Sequence, residues 1–513
     1  MASRRDELNA YTFAKKRTVA AFLQPSATGT EEGAPRPLRA VVPGLVVAAL
    51  ILAGFGAWGM FRPQAPKDWD RPGARVIVGK SSTTRYVVLN TDGRPRLHPV
   101  LNLASARLLL DPKDSADVIQ VSDEILDAGK PPRGPVVGIP YAPDRLPGKE
   151  DAGRAKRWAV CQQPGGNGKG VQSAAFVLAD REAASTDDAR RLTGAQVLYV
   201  QGPDKARHLV DADGTRYRVA GAKKDRGTLL NALVGEREPQ PVTADWLATL
   251  HEGTPIAFPE LPGTPGADAR VPGLATADNR VGMVLRATTG SGPQHYVVLP
   301  GKVRAVSEFT AWLLIHAPAN EQLHMTGRAR EVDLQSLDPR GEFAAGARWP
   351  RNKTAQVNTA PEAGVGSGAG ARDTVCSVLR RTDARGRTTL STWAGTGFPV
   401  DITATGSSTY VTPGTGLLYT QVQGTSPDGS LFLLTDTGLR YAVQANGDSD
   451  AGRSGIGAAA PGTGQDGAPE PSQAQIRLGY GKTAPVPVPI AWSDFLSKGP
   501  RLDTNSARQP QGS

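Results

Sequence analysis

The sequence predicts an α+β protein: a single N-terminal transmembrane helix followed by an elongated, pseudo-twofold extracytoplasmic domain with a central β-rich core and four small hairpin-plus-helix repeats. Three observations predict it. An uncharged apolar run lies near the start. Four later segments resemble one another in alternating order. Two cysteines, the only ones among 513 residues, sit between those segments in matching places.

The apolar run is Ala40–Phe61, 22 residues without a charge, bracketed by Arg39 and Arg62. At about 1.5 Å per helical residue it is long enough to cross a hydrocarbon core of about 30 Å. A cleaved signal peptide would have a shorter apolar core and a shorter leader than the 39 residues found here. Trp58 and Phe61 suit the membrane interface. Pro43 is expected in the first helical turn, where its missing N–H costs little. The charge balance does not orient the span. Residues 1–39 hold seven basic and four acidic groups, yet close to the membrane the basic excess lies on the far side. Long domains also translocate largely regardless of charge.

Before the span, Ser3 with Asp6 forms a capping-box-like start for a helix running to Gln24, with Pro25 as its stop. Residues 26–38 read as a linker. Residues 1–39 are therefore expected to be a tail with a helix, and 40–61 the transmembrane helix.

Beyond the span, four segments share strand, polar turn, strand. They are RYVVLNTDGRPRLHPV from Arg85, RHLVDADGTRYRVA from Arg207, HYVVLPGKVRAVSEF from His295 and LFLLTDTGLRYAV from Leu431. Asp92-Gly93 and Asp213-Gly214 are hairpin signals, because a tight primed turn needs positive φ. Gly438 takes the matching place in the fourth segment, and the third is expected to turn differently. The second and fourth agree further: Gly235, Trp246 and Gly253 have the spacing of Gly481, Trp492 and Gly499, with a Pro-Val pair ahead of each tryptophan. Tyr86–Leu89 in the first matches Tyr296–Leu299 in the third, and each leads into a helical run. The order is A, B, A′, B′.

The expected boundaries are 75–133 for repeat 1, 134–197 for the first part of the central core, 198–258 for repeat 2 and 280–335 for repeat 3. The second part of the core is expected at 336–417 and repeat 4 at 418–502. Repeat 4 contains a low-complexity insertion at 444–474, and 503–513 reads as a disordered tail. The core segments hold β-like runs such as Ala174–Leu178 and Val375–Leu379.

Cys161 and Cys376 close the similar strings WAVC and DTVC, one between A and B and one between A′ and B′. Two readings stand: separate buried thiols, or a long-range disulfide in an oxidising compartment. The similar flanks on one side of the span favour the second. A bridge would place residues 62–513 outside and 1–39 inside.

The sequence carries no recognisable catalytic, cofactor or metal motif. His98, His208, His251, His295, His316 and His324 form no metal-ligand spacing, so each reads as a packed or exposed side chain. Gly479-Tyr-Gly-Lys-Thr483 ends like a phosphate loop, but Ile476 stands where such a loop needs glycine, and the following PVPVP cannot open a helix. Gly168-Lys169 fails likewise. Net charge is +10 with basic and acidic residues interspersed, and no nucleic-acid motif accompanies it. Nucleic acid is therefore not an expected partner.

Three strings resemble the EccB family, the single-span membrane component of actinobacterial type VII (ESX) secretion systems. They are NAYTFAKKR at Asn9–Arg17, QHYVVLPGKVRAVSEFTA at Gln294–Ala311 and LGYGKTAPVPVPIAWSDFLSKGPRLD at Leu478–Asp503. The resemblance implies a single-pass structural subunit of the plasma-membrane complex, supporting protein export with no chemistry of its own. It implies a set of neighbours: the EccC ATPase, EccD, EccE and the mycosin protease, together with self-association as a homo-oligomer. It implies a disulfide between Cys161 and Cys376, a cytoplasmic N-terminus and an extracytoplasmic C-terminal domain. Two alternatives come with it. Members carry an ATPase label, which would make the chain a membrane-anchored nucleoside triphosphatase although it has no P-loop. The repeats are also likened to cell-wall-binding modules, which implies cell-wall contact.

Overall fold

Capping and hydropathy dictate the first two helices. In the computed structural model the Ser3 N–H donates to the Asp6 carboxylate at 3.3 Å, Ser3 Oγ accepts from the Arg5 N–H, and the helix Arg4–Leu23 follows. Asp6 and Glu7 complement the positive end of its dipole. The apolar helix spans Leu38–Phe61, and Ala40–Gly59 is long and apolar enough to cross a membrane. Because this helix starts at Leu38, Pro43 lies beyond the first turn, contrary to expectation. Its missing N–H removes the bond to the carbonyl four residues back.

The structure describes residues 3–23, 38–61, 65–111, 117–165, 170–359, 371–383, 385–402, 409–424, 429–444 and 473–511. The expected linker at 26–38 and insertion at 444–474 fall almost entirely outside them. The chain divides into an N-terminal unit, residues 1–69 with 79–82 and 120–130, and a second unit holding the rest.

Each repeat builds its own sheet, and the plan is larger than the hairpin visible in sequence. Repeat 2 is a three-stranded antiparallel meander, Gln196–Gln201, Arg207–Asp211 and Thr215–Arg218. Gln240–Pro241 runs parallel to its first strand and His251–Glu252 parallel to its third. Repeat 3 repeats this order with Val284–Thr289, Gly292–Leu299 and Lys302–Val306 between Arg330–Glu331 and Pro339–Glu342. Repeat 4 does so with Leu417–Val422, Leu431–Leu434 and Leu439–Ala442 between Val486–Pro489 and Ser497–Lys498. Repeat 1 pairs Val76–Gly79, Arg85–Thr91 and Arg94–Val100, with Val118–Val121 on one edge and two isolated parallel bridges, Leu97 to Arg133 and Val100 to Val137, on the other.

The turns follow φ. Asp92 (φ 52°) and Gly93 (φ 75°) are both left-handed, as a two-residue primed turn requires. At Asp213-Gly214 only the glycine is left-handed (φ 76°) and the loop is one residue longer, so the expected primed turn is replaced by a three-residue connection. The fourth segment matches it, with Gly438 at φ 80°.

The repeats dock in two pairs. Repeats 1 and 4 share one core, with Val87, Leu108 and Leu109 against Leu418, Leu433 and Tyr441. Repeats 2 and 3 share another, with Tyr199, Leu229 and Leu233 against Phe309 and Leu313. The A helices enter these cores alike. Asn102 caps Leu103–Leu109 by accepting from the Ser105 N–H, and Ser307 caps Glu308–His316 by accepting from the Thr310 N–H. Five residues after each cap, Arg107 donates to the Leu478 carbonyl at 3.1 Å and Trp312 donates to the Ala232 carbonyl at 2.8 Å. Pairing A with B′ and A′ with B in one manner is what a pseudo-twofold requires.

Several expected boundaries move. Val137, Ile139, Ala142 and Ala152 pack with repeat 1, so the central core starts near Arg157 instead of at 134. Residues 196–197 belong to repeat 2, and Pro339–Glu342 to repeat 3, because short edge strands extend each sheet beyond its recognisable hairpin. The tail expected to be disordered is folded as far as residue 511. Asp503 caps the helix Thr504–Ala507 by accepting from the Ser506 N–H at 2.8 Å, Ala507 joins the repeat 1 core, and the Gln511 N–H donates to the Val136 carbonyl. One capping side chain and one buried alanine hold a segment whose composition is polar.

The glycines that end the Gly-Trp-Gly spacing have a packing role. A Cβ on Gly253 would lie 2.5 Å from Tyr217 Cδ1, and one on Gly499 would meet the Tyr441 ring in the same way. Both tyrosines are buried and cannot recede. Gly253→Ala or Gly499→Ala should therefore cost about 1–3 kcal/mol by overpacking. Gly227→Ala, in helix Arg226–Val234 with open space at its Cβ, should be neutral or stabilising. Thermal denaturation of the three variants checks this; equal melts would contradict it.

Candidate functional site: the bridged centre

The fifth sheet lies between the repeats in sequence. Its order is Thr388–Gly395, Thr374–Thr382, Arg157–Pro164, Val171–Leu178 and Thr409–Val411, antiparallel except for the last pair. At its centre Cys161 lies directly opposite Cys376, with Cα atoms 4.0 Å apart, and the two form a disulfide across 215 residues. The flanking register is Val160 to Ser377 and Gln162 to Val375. The duplication places Cys376 where Cys161 stands in the first half. Each cysteine therefore pairs with its own copy, and the bridge sits on the pseudo-twofold axis. Of the two sequence readings, separate thiols or a bridge, the structure has the bridge.

Period-2 alternation sends neighbouring residues to opposite faces. Trp158, Val160, Ala175 and Val177 face a core that receives Trp246 from repeat 2 and Trp492 from repeat 4. Cys161, Cys376, Phe176 and Trp393 face the other side, where Phe398 and Tyr410 pack. Repeat 2 is clamped by polar contacts too. Trp246 Nε1 donates to the Val160 carbonyl at 2.9 Å. Gln162, fully buried, accepts from the Thr243 N–H at 2.9 Å and donates to Thr243 Oγ1 at 2.6 Å and Ser173 Oγ at 2.8 Å. Thr243 in turn caps the helix Ala244–Ala248 by accepting from the Trp246 N–H. Asn358 does the same for repeat 2's first strand, accepting from the Tyr199 N–H and donating to its carbonyl. Sequence reading missed Gln162, Thr243 and Asn358, since only the Thr243 cap leaves a local pattern.

Below the bridge, Trp393 Nε1 donates to Asp188 Oδ1 at 3.1 Å, and the Arg190 guanidinium lies over the Trp393 ring. Burial pushes the Asp188 carboxyl up, but hydrogen bonds from Arg190 and Trp393 and the Arg190 charge outweigh it and hold the group below its ordinary value.

The phosphate-loop look-alike is built for packing. The N–H groups of Gly479, Tyr480 and Thr483 donate to the Ile476, Gln475 and Tyr480 carbonyls. Gln475 donates to the Tyr480 and Thr483 carbonyls, and Tyr480 Oη donates to the Pro147 carbonyl at 2.8 Å. A phosphate cradle needs those N–H groups turned inward and a helix next; here a strand, Val486–Pro489, follows. Gly168-Lys169 lies outside the described residues.

The histidines are separated. His98 is buried, with Nδ1 donating to the Pro135 carbonyl at 2.9 Å and Nε2 accepting from Thr91 Oγ1 at 2.8 Å. Burial lowers its pKa, which keeps it neutral. His251 bonds Thr388, and His316 bonds the Trp312 carbonyl. Among the described residues no three His, Cys, Asp or Glu side chains are grouped to hold a metal.

The fold thus defines a membrane-anchored α+β protein with four hairpin-based sheets and a disulfide-bridged fifth. The chain belongs to the EccB family of type VII secretion: the family model "Type VII secretion system ESX-1, transport TM domain B" matches residues 1–512. It is similar to the ESX-3 secretion system ATPase EccB3 of Mycolicibacterium smegmatis, 25% identical over 431 residues, 80% of this chain and 76% of that protein. It is also similar to the ESX-1 secretion system ATPase EccB1 of Mycobacterium tuberculosis, 31% identical over 283 residues, 53% of either chain. Among solved structures it resembles a chain of an intact ESX-5 inner membrane complex (TM-score 0.60, 22% identity, covering 100% of this chain and 96% of that one). It resembles the EccB3 dimer of the ESX-3 core complex as well (TM-score 0.56, 22% identity, 84% and 99% covered).

Proposed function

We propose that the protein is a structural subunit of a type VII secretion membrane complex and performs no chemistry of its own. Residues 1–39 lie in the cytoplasm, one helix spans the plasma membrane, and the rest of the chain is extracytoplasmic. The observation that carries this is the Cys161–Cys376 bridge. A buried structural disulfide belongs to an oxidising compartment, and both cysteines follow the span. The body self-associates, as the EccB3 of the ESX-3 core complex does, and works beside the EccC ATPase, EccD, EccE and the mycosin protease.

Mild detergent extraction should yield an assembly far larger than the 53.8 kDa chain, and deleting residues 1–39 should weaken it. A monomer indifferent to that deletion would contradict the proposal. The name of the relatives favours a second reading, nucleotide hydrolysis. Assaying ATP hydrolysis by the purified chain and its Lys482→Ala variant separates the two. The structural reading expects no activity dependent on Lys482, and hydrolysis lost on the substitution would establish the other.

A further inference from the structure

Repeats 2 and 4 share one register, so their residues correspond one to one. His208 lies opposite Arg218 and Val210 opposite Arg216; Phe432 lies opposite Ala442 and Leu434 opposite Arg440. Arg216 is therefore the counterpart of Arg440, and His208 of Phe432. Val200 corresponds to Tyr419, since each faces that counterpart across the first two strands. Counting from the tryptophans, Leu247 and Ala248 correspond to Ser493 and Asp494.

In repeat 4 the arginine is buried and its partners are internal. Arg440 pairs with Asp494 at 2.9 Å, donates to Ser493 Oγ and lies over the Phe432 ring, which stacks on Tyr419. In repeat 2 the arginine is kept and these fillers are cut away. Tyrosine becomes Val200, phenylalanine becomes His208, and the aspartate becomes Ala248. Beside them lies a cavity of about 340 Å³, with His208, the counterpart of Phe432, in its wall together with Arg216, Arg218 and Leu247. Glu252 is the cross-strand partner of Arg216, yet no ion pair joins Arg216 to a carboxylate among the described residues. The buried His208 Nδ1 has no hydrogen-bond partner.

We propose that the repeat 2 cavity binds a ligand carboxylate, which supplies to Arg216 what Asp494 supplies to Arg440. Asp204 and Glu252 also line the cavity. They disfavour a polyanion such as phosphate and suit a ligand with N–H donors beside its carboxylate, so the ligand class is an amino-acid or peptide acid. Burial, with the charges of Arg216 and Arg218, outweighs Asp204 and Glu252 and lowers the His208 pKa, which favours the neutral ring with one donor and one acceptor.

The test is calorimetric titration of the full chain in detergent. The probes are N-acetyl-aspartate methylamide, whose side chain is its only carboxylate, its asparagine analogue, inorganic phosphate, and the blocked peptide Trp-Ser-Asp-Phe-Leu with its asparagine version. The proposal expects saturable binding of an acid and none of its amide. Arg216→Gln should weaken binding about tenfold or more, the scale of a lost charged hydrogen bond. Ala248→Asp, at an exposed position, should supply an internal carboxylate and abolish binding while the thermal melt is kept. Binding of both acids means that a free carboxylate suffices; binding of the peptide alone assigns the carboxylate to a polypeptide; either supports the proposal. No binding of either acid, equal binding of the amides, tighter binding of phosphate, or affinities unchanged in both variants would overturn it.

Discussion

Replacing Cys161 and Cys376 together by alanine is expected to lower stability by about 3–5 kcal/mol. The bridge closes a loop with a sequence separation of 215, for which the chain-entropy relation gives about 5 kcal/mol, and native bridges often deliver somewhat less. Both sulfurs lie in a fully buried cluster with Phe176 and Trp393, so the truncation adds a small cavity cost. The bridge is a shared interaction. Cys161→Ala alone should therefore cost nearly as much as the double variant, because either change breaks the same bond. Thermal denaturation of the two single variants and the double variant, under non-reducing conditions, reads this directly. Single effects that add to the double would mean that packing around the sulfurs, and not the cross-link, carries the stability.

The second large effect is expected at Trp246. This side chain is fully buried against the central sheet, and its indole N–H is bonded to the Val160 carbonyl. Trp246→Ala should cost about 3–5 kcal/mol, the usual range for emptying a large aromatic site. Trp246→Phe keeps most of the ring but leaves the Val160 carbonyl without that donor, and should fall between wild type and alanine, near 1–3 kcal/mol, the scale of a buried group left unpaired. Limited proteolysis should find new cleavage within residues 198–258 in the alanine variant first, since the repeat 2 helix is held to the sheet through Trp246 and the Gln162–Thr243 clamp. Uniform cleavage along the body would count against repeat 2 being the weakened part.

The features legible in sequence were those with a local physical signature. An uncharged run of 22 residues announces a span whatever surrounds it. Gly-Trp-Gly spacing recurs because each tryptophan enters the same core and each closing glycine lies against a tyrosine ring. Tyr86–Leu89 and Tyr296–Leu299 recur because both are buried central strands of like sheets. The edge strands escaped notice because Gln240–Pro241 or Arg330–Glu331, at two residues each, are too short for any periodicity. Gln162 and Asn358 were invisible for another reason. A buried amide is chosen by partners 81 and 159 residues away, and nothing near it in sequence records them. The folded tail at Thr504–Ala507 was concealed by its polar composition, although Asp503 with Ser506 is a legible cap. The exchange of Phe432 for His208 in the repeat 2 cavity wall emerges only when the two copies share one register.

The proposed topology places a cross-linked body beyond the membrane. The most direct measurement is the thiol state of Cys161 and Cys376 in membranes alkylated before any denaturation or reduction, read by mass spectrometry of the digest. The expected result is a single linked peptide pair joining the Arg157–Pro164 and Thr374–Thr382 strands, with neither cysteine alkylated until reductant is added. Recovery of both cysteines as free thiols, alkylated once the chain is unfolded without reductant, would contradict the bridge and the orientation built on it.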